Sequence, residues 1–170
     1  MDYTSRYLSP LGYITLASDG EALIGLWFEG QKHFALTLTN ESSEDSDLPV
    51  FEQTWNWLDL YFSGECPDFI PPLAPKGTPF QQKVWRLLLA IPYGKTVTYG
   101  KIARQYIEMS YGSSLPKQHM SAQAIGGAVG HNPINIIIPC HRVIGANGSL
   151  TGYAGGLDRK KYLLELEQGL

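Results

Sequence analysis

The chain has 170 residues, 44% of them hydrophobic and 12% aromatic, which is enough apolar material for one packed domain or two small ones. It has no apolar run long enough to cross a bilayer, and its N-terminus lacks the basic and hydrophobic regions of a signal peptide. We therefore expect a cytoplasmic protein whose two cysteines, Cys66 and Cys140, stay reduced. We expect no metal site, because Cys and His show no ligand spacing.

The net charge of −3 conceals two halves of opposite sign. Residues 1–75 carry two basic and twelve acidic side chains, a charge of −10, whereas residues 76–170 carry eleven basic and four acidic ones, a charge of +7. This asymmetry indicates a polyanionic partner for the second half, with the acidic half standing away from it. An ordinary solvated surface is the alternative, because charge alone does not specify nucleic acid.

Elements of the first half can be predicted in chain order. Two β-rich runs, 12–17 and 22–28, flank a turn and predict a hairpin. The acidic, serine-rich stretch 40–47 has almost nothing to bury, which predicts a solvated loop. Large apolar residues then recur at helical spacing as far as Gly64, namely Phe51, Trp55, Leu58 and Phe62. Prolines between 67 and 75 form a stiff connector, so we place a domain boundary near residue 75.

The second half opens with a capping box at residues 78–81, which has proline at the first helical position and predicts a buried helix. Another helix is predicted to begin at Tyr99 and to end in a polar loop, 108–120. Ser121 can then cap a short helix of small residues, 122–129, whose two glycines permit close backbone approach. Helix, loop and small-residue helix resemble a helix-turn-helix.

A thiol and an imidazole stand side by side in Pro139-Cys140-His141, directly after the apolar run 136–138. A cysteine that ends a hydrophobic strand is more often a small buried residue than a nucleophile. Neighbouring side chains of a strand point to opposite faces, so Cys140 and His141 can cooperate only if the chain turns or a water bridges them. Pro139 marks such a break, and the turn signals on both sides of the run predict an activated cysteine at a strand-to-loop boundary.

The C-terminal helix carries two glutamates with different roles. Asp158 can cap this helix, and Glu165 lies one turn beyond Lys161, as a surface carboxylate in an i, i+4 pair. Glu167 instead shares the leucine face that should pack inward, so its carboxylate needs a partner, and His141 is the candidate. A frayed helix end with Glu167 in solvent is the alternative.

Several ordered motifs belong together: Tyr93-Gly94, Thr98-Tyr99-Gly100, Asn132-Pro133, Ile-Pro-Cys-His-Arg-Val at 138–143 and the run 148–156, with 9–12 and 61–64 also fitting. In this set the chain resembles the O6-alkylguanine-DNA alkyltransferases, also called methylated-DNA–protein-cysteine methyltransferases. The resemblance implies an α/β N-terminal domain of ribonuclease H-like topology over residues 1–75. It implies a mainly α, helix-turn-helix (winged-helix-like) C-terminal domain over residues 76–170.

The same resemblance implies DNA repair by a single-use transferase that works as a monomer without a cofactor. Its partner would be double-stranded DNA containing O6-alkylguanine, and O4-alkylthymine would be a further substrate. Cys140 would accept the alkyl group, His141 would take its proton through a water, and Glu167 would orient that histidine. Tyr99 would hydrogen-bond the guanine ring as negative charge develops on it, and Asn132 would brace the turn that holds Cys140.

The resemblance also implies a pocket into which the nucleotide rotates, because a thiol cannot reach the alkyl group inside a duplex. The pocket residues are Val143, through its carbonyl, and the wall residues Tyr153, Ala154 and Gly155. The implied DNA contacts are Ser121, Ala122, Gln123 and Arg142. Gln123 stands where the family usually has an arginine that fills the vacated stack, and the loop 108–120 is about ten residues longer than expected.

Two other kinds of protein share parts of this pattern. A non-catalytic lesion-binding relative of the same family would lack the cysteine, so the presence of Cys140, His141 and Glu167 together argues against it. A helix-turn-helix regulator would need base-reading side chains on its second helix, and the Ala, Ile and Gly found there cannot supply them.

Overall fold

A four-stranded sheet forms the first half of the protein in the computed structural model, which describes residues 1–39, 41–45, 47–112 and 120–170. Its strands are β1 (Asp2–Ser9), β2 (Gly12–Ser18), β3 (Leu23–Phe28) and β4 (Ser42–Glu44), in the order β3-β2-β1-β4. Pairing is antiparallel except between β1 and β4, which run parallel. Every residue of β3 is buried, and the backbone of Leu26 hydrogen-bonds Pro133 and Asn135 in the second half of the chain.

The predicted hairpin is confirmed as β2 and β3, whereas β1 is not evident in the sequence pattern. The prediction of a loop over 40–47 is wrong for the residues of β4, which are exposed. They extend the sheet through backbone pairing with β1, and such pairing needs no buried side chain. Residues 40 and 46 lie outside the described part of the chain.

Helix α1 (Pro49–Phe62) follows, as the spacing of apolar residues predicts. Pro49 occupies the first helical position, and Gly64, just after the helix, has a φ of 93°, which favours glycine. The helix buries Phe51, Leu58 and Tyr61 completely. This face packs toward the sheet and brings Tyr61 beside the C-terminal end of the chain.

The second half contains α2 (Pro79–Leu89), β5 (Val97–Thr98), α3 (Tyr99–Tyr111), α4 (Ala122–Gly130), β6 (Val143–Ile144) and α5 (Leu157–Glu167). The capping box at Thr78 and Gln81 is confirmed, as is the cap at Ser121, whose hydroxyl accepts from the Ala124 N–H at 3.0 Å. Helix α2 packs on α3 and α4, and the Trp85 indole donates to the carbonyl of Ala128 at 2.9 Å. Helices α3 and α4 therefore form the predicted helix-turn-helix.

Two boundaries differ from the predictions. The loop predicted over 108–120 is wrong for 108–111, which continue α3, and 113–119 lie outside the described residues. Asp158 does not cap α5, because Gly156, with a φ of 96°, occupies the N-cap position. Asp158 lies in the first turn instead, where its charge still suits the positive end of the helix dipole.

The two halves share one hydrophobic core, which includes Phe28 from the sheet, Trp85 from α2 and Leu163 from α5. Strands β5 and β6 pair in parallel and hold the start of α3 next to the segment that follows Cys140. In the described ranges, none of the helices combines the length and the apolar character needed to cross a membrane.

Candidate active site

The sequence predicts that the apolar run before Cys140 is a strand. This prediction is wrong, because the segment forms two tight turns. Ile136 has a φ of 69°, a left-handed backbone that a β-branched residue rarely adopts, and the N–H of Ile137 bonds the carbonyl of Asn135 at 2.7 Å. Pro139, at φ −82° and ψ 64°, forms an inverse γ-turn in which the Cys140 N–H bonds the carbonyl two residues back at 2.8 Å. Cys140 then opens a short 3-10 helix, Cys140–Arg142.

Asn132 holds this strained segment from within. Its side-chain nitrogen donates to the carbonyl of Ile138 at 2.8 Å, and its side-chain oxygen accepts from the Ile134 N–H at 3.0 Å. The amide is 3% exposed, so both bonds form away from water. These two bonds close the loop that positions Cys140, as is expected of a residue that braces this turn.

Cys140 is a buried, neutral thiol. It is 4% exposed, and its Sγ lies 3.7 Å from the side-chain oxygen of Asn135, which can accept the S–H. Burial raises the pKa of Cys140 to about 11, although the nearby Asn132 amide and Lys160 ammonium act in the opposite direction. The resting thiol therefore needs a base before it can act as a nucleophile.

His141 is completely buried and lies directly against Glu167. Its Nε2 donates to Oε2 of Glu167 at 2.5 Å, which leaves Nδ1 as the nitrogen that can accept a proton. Burial lowers the pKa of His141, and the carboxylate of Glu167 opposes that shift. The alternative of a frayed helix end is excluded, because Glu167 is only 7% exposed.

Glu167 is the centre of a buried network. Burial alone would raise its pKa, but hydrogen bonds from His141 and the charge of Arg142 outweigh that effect and hold the pKa at about 2. Tyr61 of α1 donates to Oε2 at 2.6 Å, and the N–H of Gly94 donates to Oε1 at 3.2 Å. Gly94 has a φ of 77°, and a Cβ there would lie 3.3 Å from the carbonyl oxygen of Glu167, so the close approach favours glycine.

Arg142 belongs to this network, and the expectation that it contacts DNA is corrected. It is 8% exposed, and its guanidinium donates to both Glu167 oxygens, at 2.7 and 3.1 Å. A third bond, 2.8 Å long, reaches the carbonyl of Ile91. A buried carboxylate requires a paired cation, and this need outweighs any use of the side chain at the surface.

Two buried polar atoms of residues assigned to the site have no hydrogen-bond partner in the described residues: Nδ1 of His141 and the hydroxyl of Tyr153. Burial raises the pKa of Tyr153, and a charge on Cys140 would raise it further, so the two groups are close enough to interact. Buried polar groups in proteins are rarely left unpaired. Nδ1 and the Tyr153 hydroxyl are therefore positions where a water or a ligand would bind.

Tyr99 and Lys160 hydrogen-bond the same stretch of backbone, Thr151 and Gly152, which lines an open cleft. The Tyr99 hydroxyl donates to the carbonyls of Thr151 and Gly152, at 3.0 and 3.4 Å. The ammonium of Lys160, which is completely buried, donates to the same two carbonyls at 3.0 and 3.5 Å and to that of Val143 at 2.6 Å. The three protons of the ammonium thus have three acceptors, and the pocket wall is tied to β6.

Of the three predicted wall residues, Tyr153 and Ala154 line the same open cleft. Gly155 is buried, and a Cβ at this position would come within 2.6 Å of the Tyr153 ring and 3.0 Å of Phe28. Only glycine allows this close packing. The carbonyl of Ala154 accepts from the N–H of Lys32 at 3.0 Å, so the wall is also attached to the N-terminal half.

An open cleft of about 510 Å³ lies between this wall and α4. Its lining residues are Lys32, His33, Tyr99, Gln123, Gly126, Gly127, Val129, Gly130, His131, Thr151, Gly152, Tyr153 and Ala154. Ser121, Ala122 and Gln123 are exposed at the start of α4, and of these three only Gln123 lines the cleft. The glycines of α4 leave its face bare, so that a bulky ligand could lie against the helix backbone.

Sequence reasoning missed four residues of the site: Gln31, Tyr61, Asn135 and Lys160. The Asn135 amide nitrogen donates to the side-chain oxygen of Gln31 at 2.7 Å, which connects the thiol to the N-terminal half. Lys160 lies seven residues before Glu167, on the same helix face, and this spacing could have indicated its burial. The others act through contacts between distant parts of the chain, which leave no local signal.

The arrangement defines a class of protein: one that reacts through a buried cysteine next to a histidine–glutamate pair, with a helix-turn-helix and an open cleft that residues of both halves line. The family models agree with this class. Residues 79–169 match the DNA binding domain of 6-O-methylguanine DNA methyltransferase, and residues 3–75 match its ribonuclease-like domain. The chain belongs to the 6-O-methylguanine DNA methyltransferase family.

Two curated relatives show the extent of the likeness. The methylated-DNA–protein-cysteine methyltransferase of Haemophilus influenzae is 41% identical over 98% of this chain and 86% of its own length. That of Mycobacterium tuberculosis is 46% identical over 94% of this chain and 88% of its own length. Both matches cross the two halves, so the likeness is not confined to the cysteine motif.

Solved structures share the same two-domain fold. The structure of Mycobacterium tuberculosis OGT in complex with DNA has a TM-score of 0.81 and 43% identity, covering 98% of this chain and 93% of that one. An O6-methylguanine DNA methyltransferase from Methanococcus jannaschii has a TM-score of 0.62 and 30% identity, covering 92% and 88%. A ribonuclease-like domain followed by a helix-turn-helix DNA-binding domain is therefore the architecture of this protein.

Proposed function

We propose that this protein repairs DNA by moving the alkyl group of O6-alkylguanine irreversibly onto Sγ of Cys140. The observation that carries the proposal is the buried thiol beside a histidine whose Nε2 is held by Glu167 and whose Nδ1 has no partner in the described residues. A histidine fixed in this way is a neutral base whose second ring nitrogen is free to accept a proton. The thioether that forms on Sγ is stable, so in our proposal each molecule acts once.

The base acts through a water between Sγ and Nδ1. At neutral pH a thiol with a pKa of about 11 is ionised in about one molecule in ten thousand, so free Cys140 is unreactive. The proton passes through the water to Nδ1, and the imidazolium that forms is stabilised by Glu167. The positive charge of Lys160 favours the thiolate in the same step.

The thiolate then attacks the alkyl carbon. A carbon–sulfur bond forms, the bond between that carbon and O6 breaks, and the electron pair remains on the departing guanine. In the free protein the Tyr99 hydroxyl donates to the carbonyls of Thr151 and Gly152. In the reaction it donates to the guanine ring and stabilises this charge. The Tyr153 hydroxyl and the carbonyl of Val143 complete the polar contacts of the base.

Access requires that the nucleotide leave the duplex and enter the cleft between α4 and the wall. Ser121, Ala122 and Gln123 face the DNA, and Gln123 fills the gap in the base stack. The bare glycine face of α4 lets the backbone of the DNA approach closely. A non-catalytic lesion-binding protein would need no base, so the His141–Glu167 pair favours the transferase.

Three further features complete the proposal. The protein acts as a monomer, and it works in the cytoplasm, where Cys66 and Cys140 stay reduced. The domain boundary lies near residue 75, at the end of the proline-rich connector.

The test is a titration of the protein with duplex DNA that carries a labelled O6-methyl group. We expect one label transferred per protein molecule, with no further transfer when DNA is in excess, and none to the C140S variant. Repeated turnover, or transfer by C140S, would contradict the proposal.

A further inference from the structure

The turn after β3, residues 31–33, belongs to the acidic N-terminal half but lies on the cleft of the C-terminal half. The N–H of Lys32 donates to the Ala154 carbonyl at 3.0 Å, and the buried Gln31 side chain bonds Asn135 at 2.7 Å. Lys32 and His33 line the cleft directly. Two bonds to the pocket wall and floor thus fix the position of this turn.

The charge on this turn is unusual for its domain. Residues 1–75 contain only two basic side chains, Arg6 and Lys32. Arg6 pairs with Glu29 at 2.8 Å and lies over the ring of Tyr13. Lys32 forms no ion pair within the described residues, and the lining of the cleft includes no carboxylate. Of the two basic side chains in the acidic half, the one without an ion pair in the described residues, Lys32, therefore lines the cleft.

Two histidines lie next to Lys32 at the cleft. His33 has a φ of 59°, a left-handed backbone that is uncommon for a residue other than glycine, and its ring stacks on that of His131 at 4.1 Å. His131 is the residue at the C-terminal cap of α4. Strained backbone that the surrounding structure holds in place is often found where a ligand binds. Lys32, His33 and His131 form what we call the basic cluster.

We propose that the basic cluster contacts a phosphate of the DNA strand that carries the extruded nucleotide, with Lys32 as the cationic contact. The N-terminal domain is then part of the DNA interface, although most of its surface is acidic. A nucleotide that enters the cleft brings its flanking phosphates to the rim, where a cluster of nitrogen donors without a carboxylate matches their charge. The inference rests on the proposed function, since it requires the nucleotide to enter this cleft.

The salt dependence of DNA affinity tests this proposal. Duplex DNA containing O6-methylguanine is bound to the full chain, in a C140S background that prevents transfer, between about 50 and 200 mM salt. Loss of one phosphate contact should make the slope of log affinity against log salt shallower by about 0.9. Over this four-fold range of salt, the affinity of the parent should therefore fall by a factor about 3.5 times larger than that of K32Q. At the lowest salt K32Q should bind more weakly than the parent.

The matched control is R6Q, which removes the same charge from the same domain but away from the cleft. R6Q should keep the slope of the parent, and K32R should restore it. An unchanged slope in K32Q, or an equal change in R6Q, would overturn the proposal. A further test measures the rate at which K32Q, with Cys140 present, reacts with free O6-benzylguanine. A loss of this rate as large as the loss of DNA affinity would also overturn the proposal, since Lys32 would then act on the pocket wall through Ala154. Failure of methyl transfer by the unaltered protein would refute the proposed function, and the slopes would still decide the role of Lys32.

Discussion

Replacing Tyr61 by phenylalanine should destabilise the protein by removing one buried hydrogen bond to Glu167. The Tyr61 hydroxyl donates to Oε2 at 2.6 Å, and the side chain has no exposed surface. Its ring stacks on Trp57 with centroids 5.2 Å apart, and phenylalanine keeps that packing. The substitution therefore changes only the bond to the carboxylate.

The size of the effect follows from the charge and burial of the acceptor. A hydrogen bond to a charged group contributes about 1.5–3 kcal/mol, and the buried Glu167 carboxylate has little contact with solvent that could replace the lost donor. His141 and Arg142 still compensate the carboxylate, so we expect a loss near the lower end of that range. The matched control is Y7F, which removes a bond of equal length, 2.6 Å, between Tyr7 and Asp59 in an exposed position. Its cost should be about 0.5 kcal/mol or less.

Urea unfolding of Y61F and Y7F, with linear extrapolation to water, measures both losses. The dependence of the unfolding free energy on urea should be the same in the two variants, because neither changes the surface exposed on unfolding. Equal losses for Y61F and Y7F would refute the view that Glu167 lies in a dry, closely balanced network. Y61F should slow methyl transfer less than E167Q does, because the bond from His141 to Glu167 remains.

Three further results are expected. E167Q should slow alkylation strongly, and adding H141Q should lower the rate little further, because the pair acts as a unit. The exposed E165Q should change the rate little. A loss of rate in E165Q equal to that in E167Q would contradict the assignment. Q123R should keep or raise the rate on duplex DNA and affect the reaction with free O6-benzylguanine far less; equal changes would place Gln123 in the pocket. The folded pKa of Cys140, about 11, lies above the unfolded value of 9.0, so folded protein retains its proton longer. Stability should therefore fall by about 1.4 kcal/mol per pH unit between pH 9 and 11, and C140A, which lacks this group, should show a shallower decline over the same interval.

The pairing of His141 with Glu167 could be predicted because both signals are local. Glu167 shares a helix face with buried leucines, and a carboxylate there needs a donor. The sequence also places His141 directly after the cysteine. The helices and their N-terminal caps at Thr78 and Ser121 could be predicted for the same reason, since each signal depends on residues within one or two helical turns.

Contacts over long distances explain what the sequence left undetermined. Arg142 follows the reactive pair in the chain and is expected to contact DNA. Instead it forms a buried ion pair with the carboxylate of Glu167. Tyr61 reaches the same carboxylate from a helix 106 residues away. The apolar run before Cys140 favours a strand by composition, but Asn132 bonds both ends of a tight loop and fixes Ile136 at a φ of 69°. Tertiary hydrogen bonds thus override local propensity where the thiol is positioned.

The chemical identity of the acceptor can be measured most directly by peptide mapping after reaction with an equimolar O6-methylguanine duplex. Intact mass should show the gain of one methyl group, and the mapped peptides should place it on Cys140, with the exposed Cys66 unmodified. The reacted protein should then take no methyl from a second portion of DNA. A methyl group on Cys66, or an unchanged mass after the DNA has lost its lesion, would contradict alkyl transfer to Cys140.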